Sequence, residues 1–299
     1  MKCKISILVG IFVVIGLILN AQEDTTKNWK TGGVLSFNAS QVSFTNWAAG
    51  GENSLSGNSF VNLFANYKKN KMTWDNTLDL GFGMMKQGFG DESVYYKTDD
   101  KIDFSSKYGQ YAFEHFYYTG LVSFKSQFTE GYKKATDTVR ISNFLAPAYL
   151  NISLGMDYKP NDNFTLFVSP FSGKITYVTD TMLSNAGAYG VTPGEIVRYE
   201  FGGYIKAQFK CNLADNISYT TKLDLFSNYL KKPQNIDVNW ENLVTFKING
   251  WFAANIHLTM MYDDDTKIDI DRDGDGVYDG KGARPQIKQL FGIGITYKF

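Results

Sequence analysis

The densest chemistry in the chain is the run Asp269-Ile270-Asp271-Arg272-Asp273-Gly274-Asp275-Gly276-Val277-Tyr278-Asp279. Asp271, Asp273 and Asp275 stand at positions 1, 3 and 5 of a calcium loop, Gly276 supplies the sharp turn at 6, the Val277 carbonyl serves at 7 and Asp279 falls at 9. Position 12 is Gly282 instead of a bidentate Glu. The expected affinity is therefore weaker than that of an intracellular sensor, unless Asp269 or Asp263 to Asp265 completes the shell. So many carboxylates in one short hairpin repel each other without a cation, which gives metal binding a physical motive. The competing reading is a solvated acidic loop. Calcium is the one candidate cofactor, and its expected role is to order the loop.

His115 and His257 are the only histidines. A hydrolase needs one of them beside a nucleophile and an orienting group. His257 alternates with Ile256 and Leu258, and Ser227 or Ser218 would be its nearest serines, but no nucleophile motif marks either. His115 lies in Phe113-Glu114-His115-Phe116, which reads as a turn. No catalytic residue is expected, and the chain is not expected to be an enzyme. Cys211 reads as a small apolar residue, and Cys3 lies in a segment expected to be removed, so no internal disulfide is expected.

The elements that position these residues are strands. The last stretch puts Ile287, Gln289, Phe291, Ile293, Ile295, Tyr297 and Phe299 on one face and Lys288, Leu290, Gly292, Gly294, Thr296 and Lys298 on the other. Period-2 alternation ending on an aromatic suits a closing strand between lipid and a polar lumen. Twelve such stretches are expected, at about 31–44, 58–68, 72–85, 101–108, 114–128, 146–158, 164–178, 196–212, 217–229, 236–248, 252–264 and 286–299. Their connections alternate. Short links at 69–71, 108–113, 160–163, 213–216 and 249–251 are rich in turn formers, and the others are longer, as in a barrel with turns at one rim and loops at the other. Upstream, Lys2 and Lys4 precede the apolar run Ile5 to Leu19, and Ala21 offers a small residue, the layout of a secretory signal peptide over 1–21. The expected fold is thus all-β: a signal peptide at 1–21, then a single antiparallel up-and-down transmembrane barrel of about 12 strands at 22–299, with both termini periplasmic.

Mean hydropathy of −0.24 with 16% aromatic residues suits a barrel better than a helical membrane protein. Without Lys2 and Lys4, 28 basic residues face 30 acidic ones, a net charge of −2 that implies no nucleic-acid partner. Charges also decide which face is wet. Asp79, Asp103, Lys107, Lys125, Asp157, Arg198, Glu200, Lys206, Lys222, Asp224, Glu241, Lys247 and Lys288 lie opposite the apolar rows. A hydrated bore accommodates them more cheaply than a dry core, so rows such as Leu78-Leu80-Phe82 and Leu150-Ile152-Leu154-Met156 are expected to face lipid. Tyr67, Trp74, Tyr158, Tyr219, Tyr229, Trp240 and Tyr297 are the expected interfacial aromatics. The lumen charges either line a weakly selective water path or pair across strands and block it.

Three strings, Asn46-Trp47-Ala48-Ala49-Gly50-Gly51-Glu52-Asn53, Tyr96 to Gly109, and Phe124 to Tyr132, resemble the uncharacterised outer-membrane barrels grouped as a domain of unknown function in gliding and gut bacteria. The resemblance implies an outer-membrane barrel and brings no substrate or catalytic residue. Function narrows to three classes: a porin-like or carrier barrel for small polar solutes, a calcium-ordered surface barrel binding a protein partner of unknown identity, and, least favoured, an outer-membrane hydrolase. The lipid bilayer is a partner in each.

Overall fold

The computed structural model describes residues 28–43, 53–88, 93–133, 137–270 and 279–299. The expected signal peptide, the Trp47-Ala48-Ala49-Gly50-Gly51 string and positions 271–278 of the acidic run lie outside the described residues. In chain order the strands are β1 (Trp29–Val42), β2 (Ser54–Lys69), β3 (Met72–Gln87), β4 (Val94–Phe113), β5 (Phe116–Ser126), β6 (Gly131–Tyr132), β7 (Arg140–Ser142), β8 (Ala148–Asn161) and β9 (Phe164–Tyr177). A short helix α1 (Thr181–Asn185) follows, then β10 (Val197–Ala214), β11 (Ile217–Asn228), β12 (Ile236–Lys247), β13 (Phe252–Tyr262), β14 (Ile268–Ile270), β15 (Gly280–Gly282) and β16 (Gln286–Lys298).

Twelve of these close into one antiparallel barrel in the order β1-β16-β13-β12-β11-β10-β9-β8-β5-β4-β3-β2. Neighbours in the ring are neighbours in sequence, so the barrel is up-and-down, and twelve is the expected number. Closure is made by β1 on β16, from Val34 opposite Lys298 to Ala39 opposite Ile293. At the rim the Gly33 amide donates to the Phe299 carbonyl at 3.0 Å. A Cβ on Gly33 would stand 2.7 Å from the Asn62 carbonyl oxygen and 2.8 Å from the Phe299 ring, so this close approach requires glycine.

Three expected boundaries are corrected. β4 runs from Val94 to Phe113 instead of 101–108, and the link expected over 108–113 is strand; the turn is Glu114-His115, with His115 at φ +62°. The early part of β4 is masked in sequence because Lys97-Thr98-Asp99-Asp100 has no apolar row, and a register shift between Gly83 and Met84 breaks its alternation. β2 likewise starts at Ser54, four residues before the expected start.

Register separates the two faces. Ile152, Leu154, Val168, Phe171, Phe291 and Ile295 point outward and remain exposed, Phe291 at 71% and Leu154 at 63%. Opposite them the bore carries the charged and polar side chains, interrupted by a buried cluster of Leu121, Phe167, Tyr204 and Phe226 and by less buried apolar residues such as Phe60 and Leu243. The turn rim carries aromatic pairs, Trp29 with Tyr67 at 5.1 Å and Trp74 at 5.7 Å, and Phe116 with Tyr158 at 4.7 Å. Tyr297 stacks on Phe299 at 5.9 Å. Rings at this height suit a headgroup boundary. Trp240 lies farther into its strand than expected of an interfacial ring, where its indole donates to Thr221 Oγ1 at 2.8 Å.

Candidate functional site

The site is the bore, and alternation builds it. Pairings such as Lys222 opposite Glu241, Asp103 opposite Lys125 and Lys206 opposite Asp224 put all thirteen charges named from the sequence on the lumen-facing parity of their strands. At mid-height they meet across the bore. Lys101 Nζ on β4 donates to both oxygens of Glu241 on β12 at 2.7 and 2.8 Å. Lys222 Nζ on β11 donates to Asp79 on β3 at 2.6 Å, and Asn62 donates to the same carboxylate. In each of these ion pairs the strands stand diametrically opposite in the ring.

Asp224 is the most connected of the mid-bore carboxylates. It accepts from Lys125 Nζ at 2.6 Å and Tyr204 Oη at 2.8 Å, with Lys206 Nζ at 3.5 Å. Asp103 joins the two halves of the lattice, 3.6 Å from Lys101 and 3.7 Å from Lys125. Of the two alternatives left by the sequence, the charges pair across strands.

Further pairs lie above and below. Toward the loop rim, Arg198 binds Glu200 at 2.6 Å and also Asp265, Lys174 binds Asp237 at 2.6 Å, and Lys288 binds Asp99 at 2.8 Å. Toward the turn rim, Lys107 pairs with Asp157 at 2.7 Å and Lys159 with Asp75 at 2.5 Å. Lys247 stands exposed at the turn-rim end of β12, with no carboxylate within 4 Å among the described residues. Sequence reasoning missed Lys101, Lys174, Asp237 and Tyr204. Lys101 shares the parity of Asp103 and opens the stretch expected at 101–108, so parity alone could have revealed it.

His257 faces the bore as expected, 4.0 Å from Glu241 and edge-on to Phe60. The serines considered for it are elsewhere: Ser227 has outward parity and donates to the Pro233 carbonyl at 2.6 Å, and Ser218 pairs with Thr245.

Outside the barrel, β14 and β15 form a hairpin with Ile270 opposite Gly280, and the Asp279 amide donates to the Ile270 carbonyl at 2.7 Å. Asp269 lies in β14; Asp271, Asp273, Asp275 and Val277 lie outside the described residues. Two carboxylates suggested to complete a calcium shell already hold bases: Asp264 with Lys232 at 3.3 Å and Lys267 at 3.4 Å, and Asp265 with Arg198 and with Lys231 at 3.5 Å. Burial alone would raise the Asp265 carboxyl, but the Arg198 hydrogen bond and charge hold it below its usual range. Among the described residues, no group of three His, Cys, Asp or Glu side chains is arranged to hold a metal ion.

The described residues of the loops 127–147 and 178–196 pack together on Ala146, Val178, Leu183 and Val191. Asp180 caps α1 by accepting from the Met182 and Leu183 amides, and it also takes hydrogen bonds from Asn143 and an ion pair from Arg140 at 3.3 Å. A hollow of about 740 Å³ opens beside it, lined by Arg140, Asn143, Asp180 and Met182 among others.

An apolar outer belt, a charged interior and complete closure define a transmembrane β-barrel, since only a closed sheet satisfies its backbone in lipid. Residues 39–132 match the family described as "Protein of unknown function (DUF3078)", and the three strings that carry the resemblance fall inside that segment. No curated protein matches the chain. Among solved structures, the translocator domain of the autotransporter NalP from Neisseria meningitidis is 11% identical, with a TM-score of 0.37 over 99% of this chain and 96% of that one. An outer membrane channel (COG4313) from Pseudomonas putida F1 is 9% identical, with a TM-score of 0.38 over 94% and 98%. The toluene transporter TodX of P. putida is 11% identical, with a TM-score of 0.30 over 93% and 80%.

Proposed function

We propose that this chain is a non-enzymatic outer-membrane barrel, with its turn rim and both termini in the periplasm, forming a narrow conduit for small polar solutes that ion pairs hold shut at mid-bore. The cross-bore lattice carries the reading. A barrel wall is rigid, so a solute passes only where side chains part, and here Lys101 with Glu241 and Lys222 with Asp79 join opposite walls. The polar lining gives a solute hydrogen-bonding partners on either side of that barrier. The test is planar-bilayer conductance and liposome swelling for wild type and for D79N/D224N/E241Q. Wild type is expected to conduct weakly or in rare openings, and the variant to conduct more. If the folded variant neither conducts nor supports swelling, the barrel is a closed shell and the conduit reading is wrong.

A second reading is favoured by the packed loops at 127–147 and 178–196, which present a structured outer surface with a hollow. In it the barrel anchors a platform for a protein partner, and calcium bound between Asp269 and Asp279 orders the neighbouring hairpin. The bracketing of that run by β14 and β15 supports this geometry.

A further inference from the structure

We propose that the turn-rim vestibule of the bore binds a small oxyanion, a phosphate or carboxylate, through Lys30, Lys210 and Lys298. As the entry point of a solute path the site rests on the conduit reading; the binding itself does not.

The charge distribution along the bore motivates it. At mid-height four carboxylates, Asp79, Asp103, Asp224 and Glu241, meet four ammonium groups, Lys101, Lys125, Lys206 and Lys222, and the two sets balance. Toward the turn rim, the lumen-facing carboxylates Asp75 and Asp157 are taken by Lys159 and Lys107. Among the described residues, the remaining lumen-facing charge there is positive. Register puts Lys30 opposite Asn66, Lys298 opposite Val34 and Lys210 opposite Thr220, all on the lumen parity of β1, β16 and β10. None of the three has a carboxylate within 4 Å among the described residues.

These lysines are not independent surface charges. Lys30, Lys298 and Lys222 lie close enough to Lys210 to act on its charge, and a carboxylate that also reaches it, Asp79, is bound to Lys222 at 2.6 Å and to Asn62. Like charges converging in the mouth of the bore repel one another and focus a positive potential. A compact oxyanion relieves that repulsion and accepts from several ammonium groups at once. Asn66, beside Lys30, offers a neutral donor at the same level.

The test uses the full barrel folded in micelles with its lysines reductively ¹³C-methylated, which preserves their charge, and inorganic phosphate as the probe at constant ionic strength. The methyl signals of Lys30, Lys210 and Lys298, assigned with single Gln variants, are expected to shift together along one saturating curve. K210Q should weaken that curve about tenfold, the scale of one charge-assisted contact, while K231Q at the loop rim leaves it unchanged. Shifts that grow linearly, match those produced by chloride, or survive K30Q/K210Q/K298Q overturn the proposal. Bilayer conductance, measured separately, keeps the two readings apart. Saturable phosphate binding by a silent barrel leaves the site standing without the conduit, and a conducting barrel without saturation does the reverse.

Discussion

Removing the charge of Asp224 tests the bore lattice most sharply. Asp224→Asn leaves Lys206 without an ionic partner and Lys125 with only Asp103 at 3.7 Å. At the 2.6 Å separation of Lys125 and Asp224, an effective dielectric near 20 gives a gross attraction of about 6 kcal/mol. Most of that is offset by the desolvation of both ions, and the side chains are 28% and 13% exposed, so bore water screens the pair further. A net loss of about 2 kcal/mol is expected, larger than the roughly 0–1 kcal/mol of a surface pair and smaller than the 3–5 kcal/mol of a dry one. The assay is urea unfolding of the barrel in liposomes, followed by tryptophan fluorescence, for wild type, D224N, K125Q and the double variant. Because removing one partner strands the other, the double variant should lose less than the sum of the singles, with a coupling of about 1–2 kcal/mol. Additive losses, or a D224N barrel as stable as wild type, would refute the cross-bore pairing.

Leu154→Arg places a charge on the outer face at a residue that is 63% exposed, and it should cost about 2–4 kcal/mol in the same liposome assay if it sits near the bilayer midplane; an unchanged barrel argues against lipid on that face. Asp180 is held below 3.8 by the Asn143 hydrogen bond, helped by Arg140 and two backbone amides against burial. A carboxyl lowered on folding stabilises fully above 3.8 and loses that contribution as pH falls through the lower folded value. Protection of the 181–190 amides from hydrogen exchange, taken relative to the intrinsic rate at each pH, should therefore hold from pH 7 to about 4 and fall below, and Asp180→Ala should lower it at neutral pH by removing a cap worth about 1 kcal/mol. No change in D180A counts against the cap. Millimolar calcium should slow protease cleavage between 263 and 285, a concentration typical of extracellular sites, and cleavage indifferent to calcium removes the ordering role of the Asp269–Asp279 run.

The strands were legible because lipid and water impose a period of two, and eleven or more residues of alternation, as in β13 and β16, leave one register that hides every charge from lipid. Legibility failed where that constraint lapses. Lys97 to Asp100 of β4 are polar on both faces because they stand near the loop rim, and a register shift opposite Gly83 changes which parity faces inward. The lattice was half legible for a different reason. Parity put Asp79, Lys222 and Glu241 on the wet face, but Lys222 lies 143 residues from Asp79 and Glu241 lies 140 from the missed Lys101, and these partners meet only because their strands face each other across a closed ring. Ring closure is a property of the strand count, so twelve strands with short turns already implied that β3 opposes β11 and β4 opposes β12. What the pattern could not supply is the axial stagger that brings these side chains to one height. A one-residue slip of β16 against its neighbours would put Ile293 and Ile295 in the bore and Lys288 and Lys298 against lipid. The hydrophobic belt therefore enforces the register that aligns the ion pairs.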